Sequence, residues 1–363
     1  MKQGVRAVFF FALCLWSFSA ANLFADKGQL WPVPVDISEP SQKAIILHNG
    51  LEEILILGTE IAANQEIGIL EFIPFPSEPN VSLAEGNPFE AASRLIEKKG
   101  LQFVEQSKGG EEIAPVEVRF SGQVGLHDVA VVQIRDLAGF SDWVRSYFNS
   151  RGIDLTAAFD TAYANAADYI SRGFDYFVFD YVPLASQSQS IKPLVYRFES
   201  SRLYYPFKTS NITGKEGTVD LILFLPGSLG LLTNRSDTTS IYSIFNVWPN
   251  WDLSSSAKVY PNELAVIWPG AQSFFSNQKI YLQVLKYSGA YDFRNDLLLD
   301  VSRLAPFPYK HILYKPDYGN PLGGKYSLVG NLSRDELADV AEAYAKGKDT
   351  WYFDPEILSL IQK

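Results

Sequence analysis

The chain has 363 residues, with 31 Lys and Arg against 41 Asp and Glu, 47 % hydrophobic residues and a formal net charge of −10. That much apolar material excludes a disordered chain or a collagen-like fibre, and a single cysteine excludes a disulfide-stapled miniprotein. The acidic balance argues against a nucleic-acid partner, whose phosphates call for a basic face, and the length suffices for one large or two ordinary cores.

Lys2 and Arg6 precede an apolar run over 7–16, and a tail with small residues at Ser19 and Ala21 follows, with Leu23/Ala25 as a second site. This order predicts a cleaved signal peptide over residues 1–25 and a periplasmic or extracellular location. The competing reading is an uncleaved anchor, since residues 7–25 are long enough to cross a bilayer, though Ser17, Ser19 and Asn22 weaken it. No second long apolar stretch follows, so no membrane span is expected after cleavage. Cys14 and Met1, the sole cysteine and methionine, leave with the signal, and losing Lys2 and Arg6 takes the net charge to −12. A sulfur-free mature chain cannot use thiol catalysis, thiolate metal ligation or redox switching.

Asn87-Pro88-Phe89-Glu90 reads as an N-cap, a proline at the first helical position and an acid at the third, with Phe89, Ala92 and Ile96 on one face and Gly100 as the stop. Phe140, Trp143, Val144, Tyr147 and Phe148 keep helical spacing up to Gly152, and Leu155, Ala158, Phe159, Ala162, Tyr163, Ala166 and Ile170 keep it up to Gly173. Ser333-Arg334-Asp335-Glu336 is a capping box that opens a helix ending at Gly347, and Asp354-Pro355 starts a last short helix. Strands alternate at 116–121, 194–199 and 280–285. Runs at 54–57, 129–134, 176–182 and 221–225 are apolar on both faces and are expected to be central strands. Strands outnumber helices without alternating with them, which predicts an α+β fold: a largely antiparallel or mixed sheet with amphipathic helices packed on it. Pro226-Gly227-Ser228 and the polar stretch 233–240 divide residues 26–230 from a second β-rich region over 231–363, unless the stretch is a surface loop of one continuous domain.

Ala44-Ile45-Ile46-Leu47-His48-Asn49-Gly50-Leu51, Leu70-Glu71-Phe72-Ile73-Pro74-Phe75-Pro76, Val124-Gly125-Leu126-His127-Asp128-Val129, Trp143, Gly173-Phe174-Asp175-Tyr176-Phe177-Val178-Phe179, Lys192-Pro193-Leu194, Phe198-Glu199-Ser200 and Tyr205-Pro206 follow one another in that order. This order resembles a family of exported prokaryotic proteins catalogued only as a domain of unknown function, over about residues 44–225. The resemblance implies export and one α+β module and brings no catalytic residues. Many members of that family carry cysteines near the mature N-terminus, and this chain does not.

Four constellations touch on chemistry. Gly319–Lys325 has phosphate-loop spacing, but Tyr326 stands where Mg²⁺ needs Ser or Thr and no helix opens directly, so a Gly/Pro turn is expected. His48, His127 and His311 show no metal-ligand spacing, and no metal or cofactor is expected. Asp180 shares a strand face with Tyr176, Val178 and Val182, whereas Asp175 shares the opposite face with Phe177 and Phe179. A desolvated acid can serve as a general acid, which makes Asp175 and Asp180 the candidates for a hydrolase; the plainer reading of Asp180 is an acid paired with a base. Asp292, Asp296 and Asp300 would form one acidic stripe on a helix, either solvated or able to bind Ca²⁺.

Trp248, Trp251 and Asp252, in a stretch broken by Pro249 and Asn250, are the candidate ligand-binding residues, suited to stacking on a sugar ring; the plainer reading buries both indoles in a satellite core. Asn80, Asn211, Asn234 and Asn331 open sequons that suggest polar turns. The expectation is an exported, non-catalytic protein that binds an envelope or extracellular protein or glycan. A carboxylate-dependent hydrolase is the alternative, and a structural envelope component that assembles with itself is a third possibility.

Overall fold

In a computed structural model, the described residues are 27–33, 37–38, 41–63, 65–107, 110–115, 127–154, 159–184, 189–190, 192–212, 216–229, 250–304, 312–316 and 324–328. The expected signal peptide, the strand at 116–121, the stretch 233–240, Trp248, His311 and the helices expected after Ser333 and Asp354 lie outside them.

The first strands are β1 (Gly28–Leu30), β2 (Ile37–Ser38), β3 (Ser41–His48), β4 (Glu52–Ala63), β5 (Ile67–Phe75) and β6 (Asn80–Leu83). Helix α1 (Pro88–Lys99) is bounded as its caps predict: Asn87 Oδ1 accepts from the Glu90 N–H at 3.1 Å, and Gly100 closes it with a left-handed φ of 61°. After β7 (Gln102–Ser107), β8 (Gly110–Pro115) and β9 (Asp128–Gln133) come α2 (Leu137–Ser150), capped by Asp136, and α3 (Asp160–Ser171). The chain continues through β10 (Tyr176–Leu184), β11 (Gln189–Ser190), β12 (Leu194–Glu199), β13 (Arg202–Tyr205), a 3-10 turn (Phe207–Ile212) and β14 (Glu216–Leu225). The remaining elements are β15 (Trp251–Leu253), β16 (Ala257–Val259), α4 (Pro261–Leu264), α5 (Ala271–Phe275), β17 (Ile280–Ala290), β18 (Leu297–Asp300), β19 (Ile312–Pro316) and β20 (Gly324–Leu328).

The fold is α+β. One sheet has the order β1-β5-β10-β9, all antiparallel, and a larger mixed sheet runs β15-β17-β14-β3-β4-β12-β6. Among the described strands of the latter, only β14 and β3 pair parallel. Strands from either side of residues 230–249 lie side by side, since β14 pairs with β17 over its whole length. The regions 26–230 and 231–363 therefore share one sheet.

Alternation of side chains assigns the layers. On β5, Phe72 points to α2, where Phe140 meets its ring at 5.2 Å, while Phe75 points to the large sheet and meets Tyr196 at 5.2 Å and Phe198 at 5.0 Å. On β3, Ala44 and Ile46 join the core shared with the small sheet, whereas Ile45 and Leu47 face a second core built with α1, α4 and α5. The runs at 54–57, 176–182 and 221–225 are inner strands as expected. The run at 129–134 is not: β9 is the outermost of the four strands, with Val131 41 % exposed. Its apolar composition reflects packing of Val129 and Val132 onto the core, without a neighbour on its outer edge among the described strands. Gly324, Lys325 and Tyr326 lie in β20, paired with β19, so the phosphate-loop spacing ends in a hairpin strand.

Candidate functional site

Asp180 sits mid-way along β10, directly opposite Glu71 of β5, which is itself opposite Gln29 of β1. Alternation puts all three on the face between the two sheets. Along that face Ile73 and Val178 belong to the main core, while Ile69, Val182 and Leu184 form a small separate cluster. The polar row thus separates these two apolar clusters along that face.

Buried charge requires partners, and each acid here has one. Lys27 Nζ lies 2.6 Å from Glu71 Oε2, with side chains 3 % and 0 % exposed. His127 Nδ1 lies 2.6 Å from Asp180 Oδ2, and its Nε2 lies 2.7 Å from the Lys192 carbonyl oxygen. Burial pushes the Glu71 carboxyl up, an effect opposed by Lys27 and reinforced by the neighbouring Asp180. Oδ1 of Asp180 has no hydrogen-bond partner among the described residues. The arrangement joins β1, β5, β10, the start of β9 and the lead into β12 through side chains that solvent barely reaches.

Asp175 lies before β10 on the opposite face, half-buried, where it accepts a 2.9 Å hydrogen bond from Gln133 Nε2. Asp175 and Asp180 do not converge. Trp251 is 7 % exposed in β15, with its indole among Phe207 at 5.2 Å, Tyr287 at 4.8 Å and Phe293 at 6.2 Å. Its ring faces serve the core, which is the plainer of the two readings of this residue; Trp248 lies outside the described residues. Asp252, the next residue, points to the other side of the sheet and is exposed, in register with Lys286.

The acidic stripe of Asp292, Asp296 and Asp300 is also corrected, because the segment is irregular and then β18 rather than helix. Asp296 is buried and binds the Tyr169 hydroxyl at 2.7 Å, the Lys208 N–H at 2.9 Å and the Arg172 guanidinium at 2.9 Å, tying α3 to the 3-10 turn. Among the described residues, no three His, Cys, Asp or Glu side chains group so as to hold a metal. Asn211 spends its amide on Phe293, donating to its carbonyl and accepting from its N–H.

Sequence reasoning missed Lys27 and Glu71. The available signal was a lone charge inside Ile69-Leu70-Glu71-Phe72-Ile73, since an acid in an otherwise apolar inner strand requires a buried counter-charge.

No family model matches the chain, and no curated protein matches it. Among solved structures it is similar to the crystal structure of baculovirus P35, at 10 % identity over 74 % of this chain and 98 % of that chain, with a TM-score of 0.39. A likeness at that level says nothing of function.

Proposed function

We propose that the protein is exported through its N-terminal signal peptide and acts without catalysis, by binding a protein or glycan of the envelope or extracellular space. The observation that carries this reading is the enclosure of Asp180. The acid placed to act as a general acid is 2 % exposed and engaged by His127. Its neighbour Glu71 is engaged by Lys27, so these carboxylates serve the seam between the sheets. The resemblance to exported proteins of a single α+β module supports the location.

The test is a glycan array and an envelope pull-down with residues 26–363, together with N-terminal sequencing of the secreted protein. Retained glycan or protein supports the reading. No retained ligand in either format sinks it.

One observation favours the hydrolase reading: Glu71 and Asp180 face each other across adjacent strands, with His127 attached. Paired carboxylates of this kind can divide acid and base roles. Turnover of envelope polysaccharide that Asp180→Asn abolishes without loss of folding would establish it.

A further inference from the structure

Two of the sequon asparagines, Asn80 and Asn211, fall within the described residues, and the fold treats them oppositely. Asn211, in the 3-10 turn, is half-buried and has both ends of its amide engaged by Phe293. Its Nδ2 donates to the Phe293 carbonyl at 2.7 Å, and its Oδ1 accepts from the Phe293 N–H at 2.8 Å. A sugar on that nitrogen would have to displace Phe293, which packs against Phe207 and Trp251 in the core. Asn80 opens an edge strand rather than a turn. It is exposed, and its side chain holds no hydrogen-bond partner among the described residues.

The strand it opens, β6, is the last in the order of the large sheet. One of its edges pairs with β12, from Asn80 opposite Arg197 to Leu83 opposite Leu194, and the other meets no strand among the described residues. Alternation turns Val81 toward the core and leaves Asn80 and Ser82 exposed on the opposite face. Residues two apart in a strand stand about 6.6 Å from each other on one side, so the amide and the hydroxyl of the sequon share a single outward surface. Leu83, next along, is 53 % exposed. An open edge with an exposed leucine invites pairing with another chain unless something bulky or charged covers it.

We propose that Asn80 is an N-glycosylation site and that its oligosaccharide stands at the outer edge of β6. The inference rests on the proposal that the chain is exported, because this modification belongs to exported proteins. Asn80 supplies the acceptor amide, Ser82 the required hydroxyl, and Val81, not proline, lies between them. The donor is a lipid pyrophosphate-linked oligosaccharide, and an oligosaccharyltransferase joins the two. Asn80 Nδ2 bonds to C1 of the first sugar, the C1–O bond to pyrophosphate breaks, and the lipid pyrophosphate leaves with the electron pair. The amide proton passes to a base of the transferase. The fold carries the product without rearrangement, since Asn80 is exposed and spends no hydrogen bond on it. A bulky, solubilising substituent there also bars a foreign strand from β6.

The test is peptide mapping by mass spectrometry of the full chain isolated from the cells that make it, with its location and N-terminus determined on the same sample. The expected result is a peptide spanning Asn80 that is heavier by an oligosaccharide, with the sugar on Asn80, and a bare Asn211. Asn80→Gln and Ser82→Ala are each expected to abolish the added mass, and Ser82→Thr to keep it. All three replace exposed side chains, so their thermal unfolding should match one another. Dependence on the hydroxyl separates enzymatic transfer at the sequon from any other adduct on this peptide. A bare Asn80 in an exported chain overturns the inference and leaves the export reading intact. Sugar that persists in Ser82→Ala, or that sits on Asn211 instead, overturns it as well. A chain found inside the cell with residues 1–25 attached overturns the inference together with the reading beneath it.

Discussion

His127 and Asp180 are 53 residues apart in sequence and share a 2.6 Å hydrogen bond with side chains 6 % and 3 % exposed. The Lys192 carbonyl can only accept, so Nε2 carries a hydrogen and the ring is held from both sides. Removing one member of a buried pair leaves the other desolvated, at a cost of about 3–5 kcal/mol. His127→Ala is therefore expected to lose roughly that much stability in urea unfolding, with an unchanged m-value. A loss under about 1 kcal/mol would show that the bond contributes little to holding β9 on β10.

Lys27 and Glu71 invite a double-mutant comparison. Lys27→Met strands a fully buried carboxylate beside Asp180 and is expected to destabilise by several kcal/mol. The double replacement Lys27→Met with Glu71→Leu removes both charges and should recover most of the loss, because buried pairs often trade evenly for apolar groups. Denaturation midpoints of the two single variants and the double variant measure the coupling. Additive losses would contradict a direct pair.

His48 supplies a pH dependence. It is fully buried at the end of β3, and its Nδ1 accepts the Gly50 N–H at 2.9 Å, which requires that nitrogen to be unprotonated. Burial pushes its imidazole down from 6.5 to about 4, against the backbone carbonyls of Arg202 and Ser200. An unfolded chain takes up this proton near pH 6.5, whereas the folded protein takes it up only near pH 4. The stabilisation is present above pH 6.5 and is lost as pH falls to about 4, a swing of about 3 kcal/mol. The difference in unfolding free energy between wild type and His48→Gln, followed from pH 7.5 to 4, should shrink by that amount. A difference independent of pH would refute the assignment. Glu53, opposite His48 and also fully buried, carries a carboxyl pushed well up by burial, so its contribution has the opposite sign and fades as pH rises.

Phe140 is the hub of the helix-to-sheet packing, meeting Phe72, Tyr163, Phe177 and Phe179 within 6.0 Å. Phe140→Ala is expected to cost about 3–5 kcal/mol through lost burial and the cavity left behind. Phe140→Leu should cost markedly less, since leucine fills most of the volume. Thermal melts of both variants give the order, and equal losses would argue against a tightly packed site.

The elements legible in the amino-acid order were those whose signals act within a turn or two of the backbone. Asn87, Pro88 and Gly100 bound α1 as read, and the apolar spacing of Phe140, Val144 and Phe148 places α2 against the core. The α+β class followed from strands that outnumber helices without alternating with them. The candidate site was half legible: Asp180 showed as an acid on an apolar face, but nothing local named His127 as its partner. Glu71 is legible as a lone charge in an apolar strand, but its partner is not, because the counter-charge lies 44 residues away, just ahead of a short strand.

By itself, then, the sequence determined the α+β class, the bounds of α1 and the core-facing stripe of α2, because caps and periodicity act on the local backbone. The tertiary structure alone decided that β9 is the outermost of the described strands in its sheet, that Trp251 is buried, that Asp296 binds α3, and that Tyr147, Arg151 and Asp128 gather around Tyr181. Those outcomes depend on which strands become neighbours, and pairing is selected by the burial and charge compensation of the whole sheet rather than by any one segment.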